Sequence, residues 1–207
     1  MTDPIYNIEK MEEFVETRAK EHGLHSALSA LEYAKKAHAG QTRRNVDIPY
    51  FFHPLSLACH ALSLGIKDDD IIAVCLLHDV VEDCGVKAEE LPFNGRIREL
   101  VRLLTRTDAP GPCPGKEEMI NAYYEAIGKD SDAAFVKCLD RCHNLSSMCD
   151  AMTRDKMVNY LKETDEHYPV LLSIIQRTPR YSNAGNILSY HITSLVSAYK
   201  YFLFTND

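Results

Sequence analysis

DDDIIAVCLLHDVVED, residues 68–83, decides how this chain is read. Ile71, Ile72, Ala73, Val74, Cys75, Leu76 and Leu77 put apolar side chains on every side of a helix, the pattern of one buried all round. Four ionisable residues, His78, Asp79, Glu82 and Asp83, follow directly on that run. Read as one helix over 69–83, at about 100° per residue, they share a sector of roughly 140°. Carboxylates gathered beside a core oppose one another's ionisation, and desolvation adds to the cost. A held proton or a bound cation compensates, and a metal ion is the simplest resolution. An isolated His-Asp pair on a helix is more often a satisfied structural pair, so the stretch has to be weighed with the rest of the chain.

Two other segments supply partners. HAGQTRRNVDIPYFFHP, residues 38–54, puts His53 just before Pro54 at an expected helix start. Proline is tolerated in a first turn, and the residue before it is expected to be extended. AAFVKCLDRCHNL, residues 133–145, puts Asp140 in a second apolar-flanked helix, with Lys137, Arg141 and Asn144 close to it in sequence. Two imidazoles and two carboxylates make a mixed nitrogen and oxygen set suited to one divalent ion, whether manganese, iron, zinc or magnesium. Such a set leaves coordination positions open for water and substrate.

The ordered set His53, His78-Asp79, Asp140 resembles the HD superfamily of metal-dependent phosphohydrolases. Within it, HAGQTRR, PYFFHP, LLHDVVEDCG and VKCLDRCHNL, spread over residues 38–144, are similar to the hydrolase domain of RelA/SpoT homologues and to stand-alone small alarmone hydrolases. The resemblance implies an all-α HD-domain helical bundle with the metal site between central helices. It implies that His53, His78, Asp79 and Asp140 hold one metal ion, usually manganese, and that Glu82 and Asp83 serve the hydrolytic water. The implied reaction removes the 3′-pyrophosphate of ppGpp or pppGpp. Arg43 and Arg44 match residues that contact the guanine base and phosphates, and Asn144 matches one near the ribose. Lys156 and Tyr160 resemble a basic and an aromatic residue lining the same pocket. The chain departs from the family in the NVDI stretch, which lacks a glycine often found there, and in Arg44, where lysine is common. TRTDAPGPCPGKEEM, residues 105–119, matches no phosphate-binding motif.

The chemistry also stands without the family. Attack on a charged diphosphate needs cations to spread developing charge, and Arg43, Arg44, Lys137 and Arg141 are the candidates. Each has a plainer reading: Lys137 and Arg141 could pair with Asp140 or flank it, and Arg43-Arg44 could be a solvated turn. Tyr50 reads as a packing residue whose hydroxyl finds a hydrogen-bond partner. His38, His60 and His143 read as structural or exposed, with His143 a candidate support behind a metal ligand. Two competing functions remain: an HD phosphohydrolase for another nucleotide such as NADPH or a (d)NTP, and a non-catalytic sensor holding metal and nucleotide. The Glu82-Asp83 pair argues against the sensor, which needs no second acidic pair.

Composition sets the frame. The chain has 207 residues, 45% of them hydrophobic, enough for one domain over 1–207 with a substantial core. A net charge of −7 argues against a nucleic-acid binder but not against a small anionic nucleotide, for which a metal and a few arginines set the local field. With no apolar run of about 20 residues and no signal-peptide character at the N-terminus, a cytoplasmic protein free of membrane is expected. Seven cysteines, several in helical apolar patterns, read as reduced thiols. Helices are expected at about 8–22, 24–38, 54–64, 69–83, 95–105, 117–128, 131–149, 154–177 and 183–203. NILSYHITSLVSAYKYFLF, residues 186–204, reads as a helix packed on the bundle, with a homo-oligomer interface as the alternative.

Overall fold

A computed structural model describes residues 7–43, 48–106 and 115–204, with backbone alone at position 150. The described chain forms α1 (Ile8–His22), α2 (His25–Ala37), α3 (Phe52–Ser63), α4 (Asp69–Leu77), α5 (Val80–Cys84), α6 (Gly95–Leu104), α7 (Lys116–Gly128), α8 (Ser131–Ala151), α9 (Arg154–Arg177) and α10 (Ser182–Phe204). A 3₁₀ turn, Ala88–Glu90, precedes α6. Among the described residues there is no strand, only a single antiparallel bridge between Thr42 and Pro49, and the fold is all-α. No described helix is long and apolar enough to cross a membrane.

The described residues divide into two compact units, one through Arg43 and from 48 to Tyr123, the other from Tyr124 onward. In the first, α4 is the central element, and every residue from Ile71 to Leu77 is buried. It packs against α2, α3 and α6, which is why its apolar character has no polar side. Asp68 caps α4, its side chain accepting from Ile71 N, and Asn7 and Asn94 cap α1 and α6 in the same way. Helix α2 has no capping side chain of its own. Asp69 fills that place from the neighbouring helix, accepting from Ser26 N at 2.9 Å and Ala27 N at 2.8 Å.

In the second unit α8, α9 and α10 pack on one another. Asp130 caps α8, accepting from Asp132 N and Ala133 N. The Phe135 ring stacks on Tyr181 at 4.4 Å, and the Tyr181 hydroxyl donates to Asp132 Oδ1 at 2.8 Å. Arg180 pairs with the same carboxylate. Gly185 of α10 lies so close to α9 that a Cβ there would meet Gln176 N at 2.9 Å. Outward, α10 leaves Ile187, Tyr190, Tyr201, Phe202 and Phe204 exposed.

The helix expected over 69–83 is two helices. It breaks at His78 and Asp79, with Asp79 at φ −98°, ψ −6°, and resumes as α5. The His78 side chain is the physical cause: its Nδ1 sits 3.0 Å from Cys75 O, the carbonyl that a continuous helix would offer to the Asp79 N–H. A second correction concerns His53. It is helical rather than extended, because α3 begins two residues before Pro54 and the turn is closed by Phe52 N donating to Pro49 O and His53 N to Tyr50 O.

Candidate metal centre and hydrolytic site

In the first unit, α3 delivers His53 and the break between α4 and α5 delivers His78 and Asp79. Both histidines are almost fully buried, at 2% and 4% exposure. His78 Nδ1 faces the Cys75 carbonyl at 3.0 Å, so that nitrogen is the donor there and Nε2 is the atom turned toward His53 and Asp79. His78 Nε2 lies 3.2 Å from His53 Nε2 and 3.2 Å from Asp79 Oδ1, while His53 Nε2 lies 3.4 Å from Asp79 Oδ2. Two imidazole nitrogens and a carboxylate therefore converge on one point. Burial pushes the Asp79 carboxyl up, but His78 and His53 outweigh it and hold the group well below the usual carboxylate range. The donor set and its burial fit a divalent cation, which would bring all three groups together without a shared proton.

Asp79 has a further partner. The Tyr50 hydroxyl donates to Asp79 Oδ2 at 2.7 Å, and burial together with Asp79 and Asp83 pushes that phenol far above its ordinary range. The sequence suggests a packing residue with a hydrogen-bonded hydroxyl. The bond goes to the carboxylate that matters most. Glu82 and Asp83 of α5 are exposed, Glu82 Oε2 accepting from Arg106 N at 3.2 Å. Gln41 Nε2 donates to Asp83 O at 3.1 Å. Neither Gln41 nor Tyr50 stands out by composition, and the only sequence signal was their place in HAGQ and PYFFHP.

In the second unit, Asp140 is buried on α8 with both carboxylate oxygens held from its own helix. Lys137 Nζ lies 3.1 Å from Oδ2, and Asn144 Nδ2 donates to Oδ1 at 2.5 Å. Lys137 thus takes the pairing alternative. Arg141 pairs elsewhere, and at 2% exposure it is walled in. Its guanidinium donates to Tyr160 O and Thr164 Oγ1 on one side and to the Tyr124 hydroxyl and Glu163 Oε1 on the other, the last at 2.5 Å. The Tyr160 and Tyr168 rings lie 3.6 and 4.4 Å from its central carbon. Burial opposes its charge, but the surrounding tyrosines and Glu163 hold it protonated well above the ordinary range. Tyr160, pushed up to about 12 mainly by burial, stays neutral at physiological pH. Lys156, one turn before Tyr160 on α9, is exposed.

His53, His78 and Asp140 are thus all buried, and each offers a donor atom of a kind divalent ions take. Arg43 is fixed through its backbone N donating to Ile48 O at 2.9 Å. Arg44 lies outside the described residues, as does most of the 105–119 segment. The six described cysteines are free thiols.

The sequence profile of the HD domain matches residues 30–171, more than half of the chain and a span that includes His53, His78, Asp79, Glu82, Asp83 and Asp140. The chain belongs to the HD-domain family. This HD domain is 33% identical over 147 residues to guanosine-3′,5′-bis(diphosphate) 3′-pyrophosphohydrolase of Aquifex aeolicus, covering 69% of this chain and 20% of that protein. It is 31% identical over 147 residues to GTP pyrophosphokinase rsh of Brucella ovis, covering 69% of this chain and 19% of that one. It is 27% identical over 172 residues to the bifunctional (p)ppGpp synthase/hydrolase SpoT of Escherichia coli, covering 81% and 24%. The HD domain thus spans about a fifth to a quarter of the length of these relatives. Among solved structures, it shares its fold with one described as a metazoan ortholog of SpoT that hydrolyzes ppGpp and plays a role in starvation responses. The TM-score is 0.65 at 22% identity, covering 84% of this chain and 95% of the other.

Proposed function

We propose that this chain is a metal-dependent phosphohydrolase that removes the 3′-pyrophosphate of ppGpp and pppGpp. The observation that carries the reading is the convergence of Nε2 of the buried His53 and His78 with the half-buried Asp79, followed within four residues by the exposed pair Glu82 and Asp83. The names of the relatives, two of which hydrolyse or turn over this nucleotide, supply the substrate. The HD-domain match runs through both compact units, which supports reading 1–207 as one functional domain.

In this reading His53, His78 and Asp79 hold one divalent ion, with Asp140 as fourth ligand and manganese as the metal. When bound, such an ion supplies Lewis acidity and a nucleophile at neutral pH. Glu82 and Asp83, exposed to solvent on a short helix, divide the proton work. One carboxylate accepts the proton of the attacking water, and the other, protonated, returns one to the ribose 3′ oxygen as its bond to phosphorus breaks. Lys137 and Asn144 hold the Asp140 carboxylate in one orientation, and the charge of Lys137 offsets part of the burial cost. Arg43, Arg44, Lys156 and Tyr160 are assigned to substrate. Arg141 is assigned to the structure of its own unit, since both terminal nitrogens of its guanidinium are occupied and the group is enclosed.

The test is pyrophosphate release from ppGpp in the presence of manganese, alongside GTP, dGTP and NADPH. Release of pyrophosphate from ppGpp with GDP as co-product is the expected result. Turnover of another nucleotide alone reassigns the substrate, and binding without turnover of any of the four supports a sensor.

A further inference from the structure

Helix α5 is only five residues long, Val80–Cys84, yet it carries both acidic residues of the proposed chemistry. Isolated helices below about 12–15 residues are marginal in water, so the orientation of Glu82 and Asp83 has to be imposed from outside. The segment between α2 and α3 meets α5 at both of its ends. Its two arms are joined by the Thr42–Pro49 bridge, by Tyr50 N donating to Gln41 O at 2.9 Å and by Arg43 N donating to Ile48 O at 2.9 Å. Tyr50 and Gln41 are thereby fixed side by side.

At the start of α5 the Tyr50 hydroxyl donates to Asp79 Oδ2 at 2.7 Å. At its end Gln41 Nε2 donates to Asp83 O at 3.1 Å and lies 3.7 Å from Cys84 Sγ. Behind both stands His38, 2% exposed, its ring stacked on Tyr50 at 4.8 Å and its Nδ1 2.8 Å from Gln41 Oε1. That contact fixes the amide: its oxygen faces His38, so its nitrogen faces Asp83. The Tyr50 hydroxyl donates to one oxygen of Asp79 from a ring fixed by the stacked His38, which suits it to orienting that carboxylate.

We propose that Tyr50 and Gln41 are positioning residues for hydrolysis, Tyr50 setting the Asp79 carboxylate for the metal ion and Gln41 setting the Asp83 end of α5 for the attacking water. The proposal rests on the function given above and divides the work between two ends of one short helix. Removing a partner that orients a metal ligand lowers metal affinity or activity by roughly 10- to 100-fold.

The experiment compares the full chain with Tyr50→Phe, which keeps the ring and loses the hydroxyl, and Gln41→Met, which keeps the length and loses the amide. Manganese affinity, kcat and KM for ppGpp, and the metal-free melting temperature are measured on each. Tyr50→Phe is expected to weaken manganese binding by roughly 10-fold or more, with the metal-free melting temperature unmoved. Gln41→Met is expected to leave manganese affinity and KM unchanged while kcat falls by roughly 10-fold or more. Variants that match the active wild type in metal affinity and kcat overturn the proposal and leave the functional reading standing. So do losses that merely follow a lowered metal-free melting temperature. A wild-type protein that neither binds manganese nor hydrolyses ppGpp overturns the functional reading, and this proposal with it.

Discussion

At the scale of single residues, the site separates enclosed groups from open ones. His53, His78 and Asp79 are enclosed and mutually engaged, whereas Glu82 and Asp83 are open to solvent. Replacing Glu82 with Gln is therefore expected to spare bound manganese while slowing ppGpp turnover by a factor on the order of hundreds. Metal analysis and steady-state rates check this together, and unchanged turnover reassigns the role to Asp83. Arg141 gives the opposite expectation. Its enclosure by Tyr124, Tyr160, Glu163, Thr164 and Tyr168 makes it a structural cation. Arg141→Met should destabilise the fold by about 3 kcal/mol, the lower end for a broken buried pair, because Glu163 keeps some access to water. Chemical denaturation measures that loss, and a fully stable variant with a raised KM would return Arg141 to the substrate.

At the scale of elements, the helices are held by contacts between them as much as by their own sequences. Asp69 of α4 caps α2 through Ser26 N and Ala27 N, so Asp69→Ala should cost about 1 kcal/mol although the residue touches nothing catalytic. Urea unfolding reads it, and an unchanged midpoint contradicts the cap. Gly185→Ala should cost roughly 1–3 kcal/mol, since the added methyl would press on the α9 backbone at Gln176 and Ile175. A variant as stable as the wild type would show that α9 and α10 can part without strain. The boundaries of these helices were largely legible in the sequence, because caps such as Asn7, Asp68, Asn94 and Asp130 and the apolar run of α4 are local signals. The break at His78 was not, since the apolar pattern runs on to Val80 and Val81, and only the ring's contact with Cys75 O interrupts the ladder. The brace from Tyr50 and Gln41 was equally hidden, for it depends on a backbone hydrogen bond joining Tyr50 to Gln41, nine residues apart, rather than on any residue type. Motif order, by contrast, pointed to His53, His78 and Asp79, whose side chains the fold brings within 3.4 Å of one another, because ionisable residues set directly on an apolar run are an unusual spelling.

At the scale of the whole molecule, an acidic chain of net charge −7 is assigned a highly anionic nucleotide. Total charge opposes such a substrate only weakly across salt water, while a bound cation dominates the field within a Debye length of about 8 Å. The metal is therefore expected to govern both substrate binding and turnover, and its removal with a chelator should abolish pyrophosphate release until manganese is restored. The most direct test is elemental analysis of the full chain and of Asp140→Ala after equilibration with manganese and removal of free ion. One manganese per wild-type chain and loss of that ion together with activity in Asp140→Ala is the predicted result. A wild-type chain that retains no manganese, or a variant that keeps the full ion, would contradict the ligand set of His53, His78, Asp79 and Asp140.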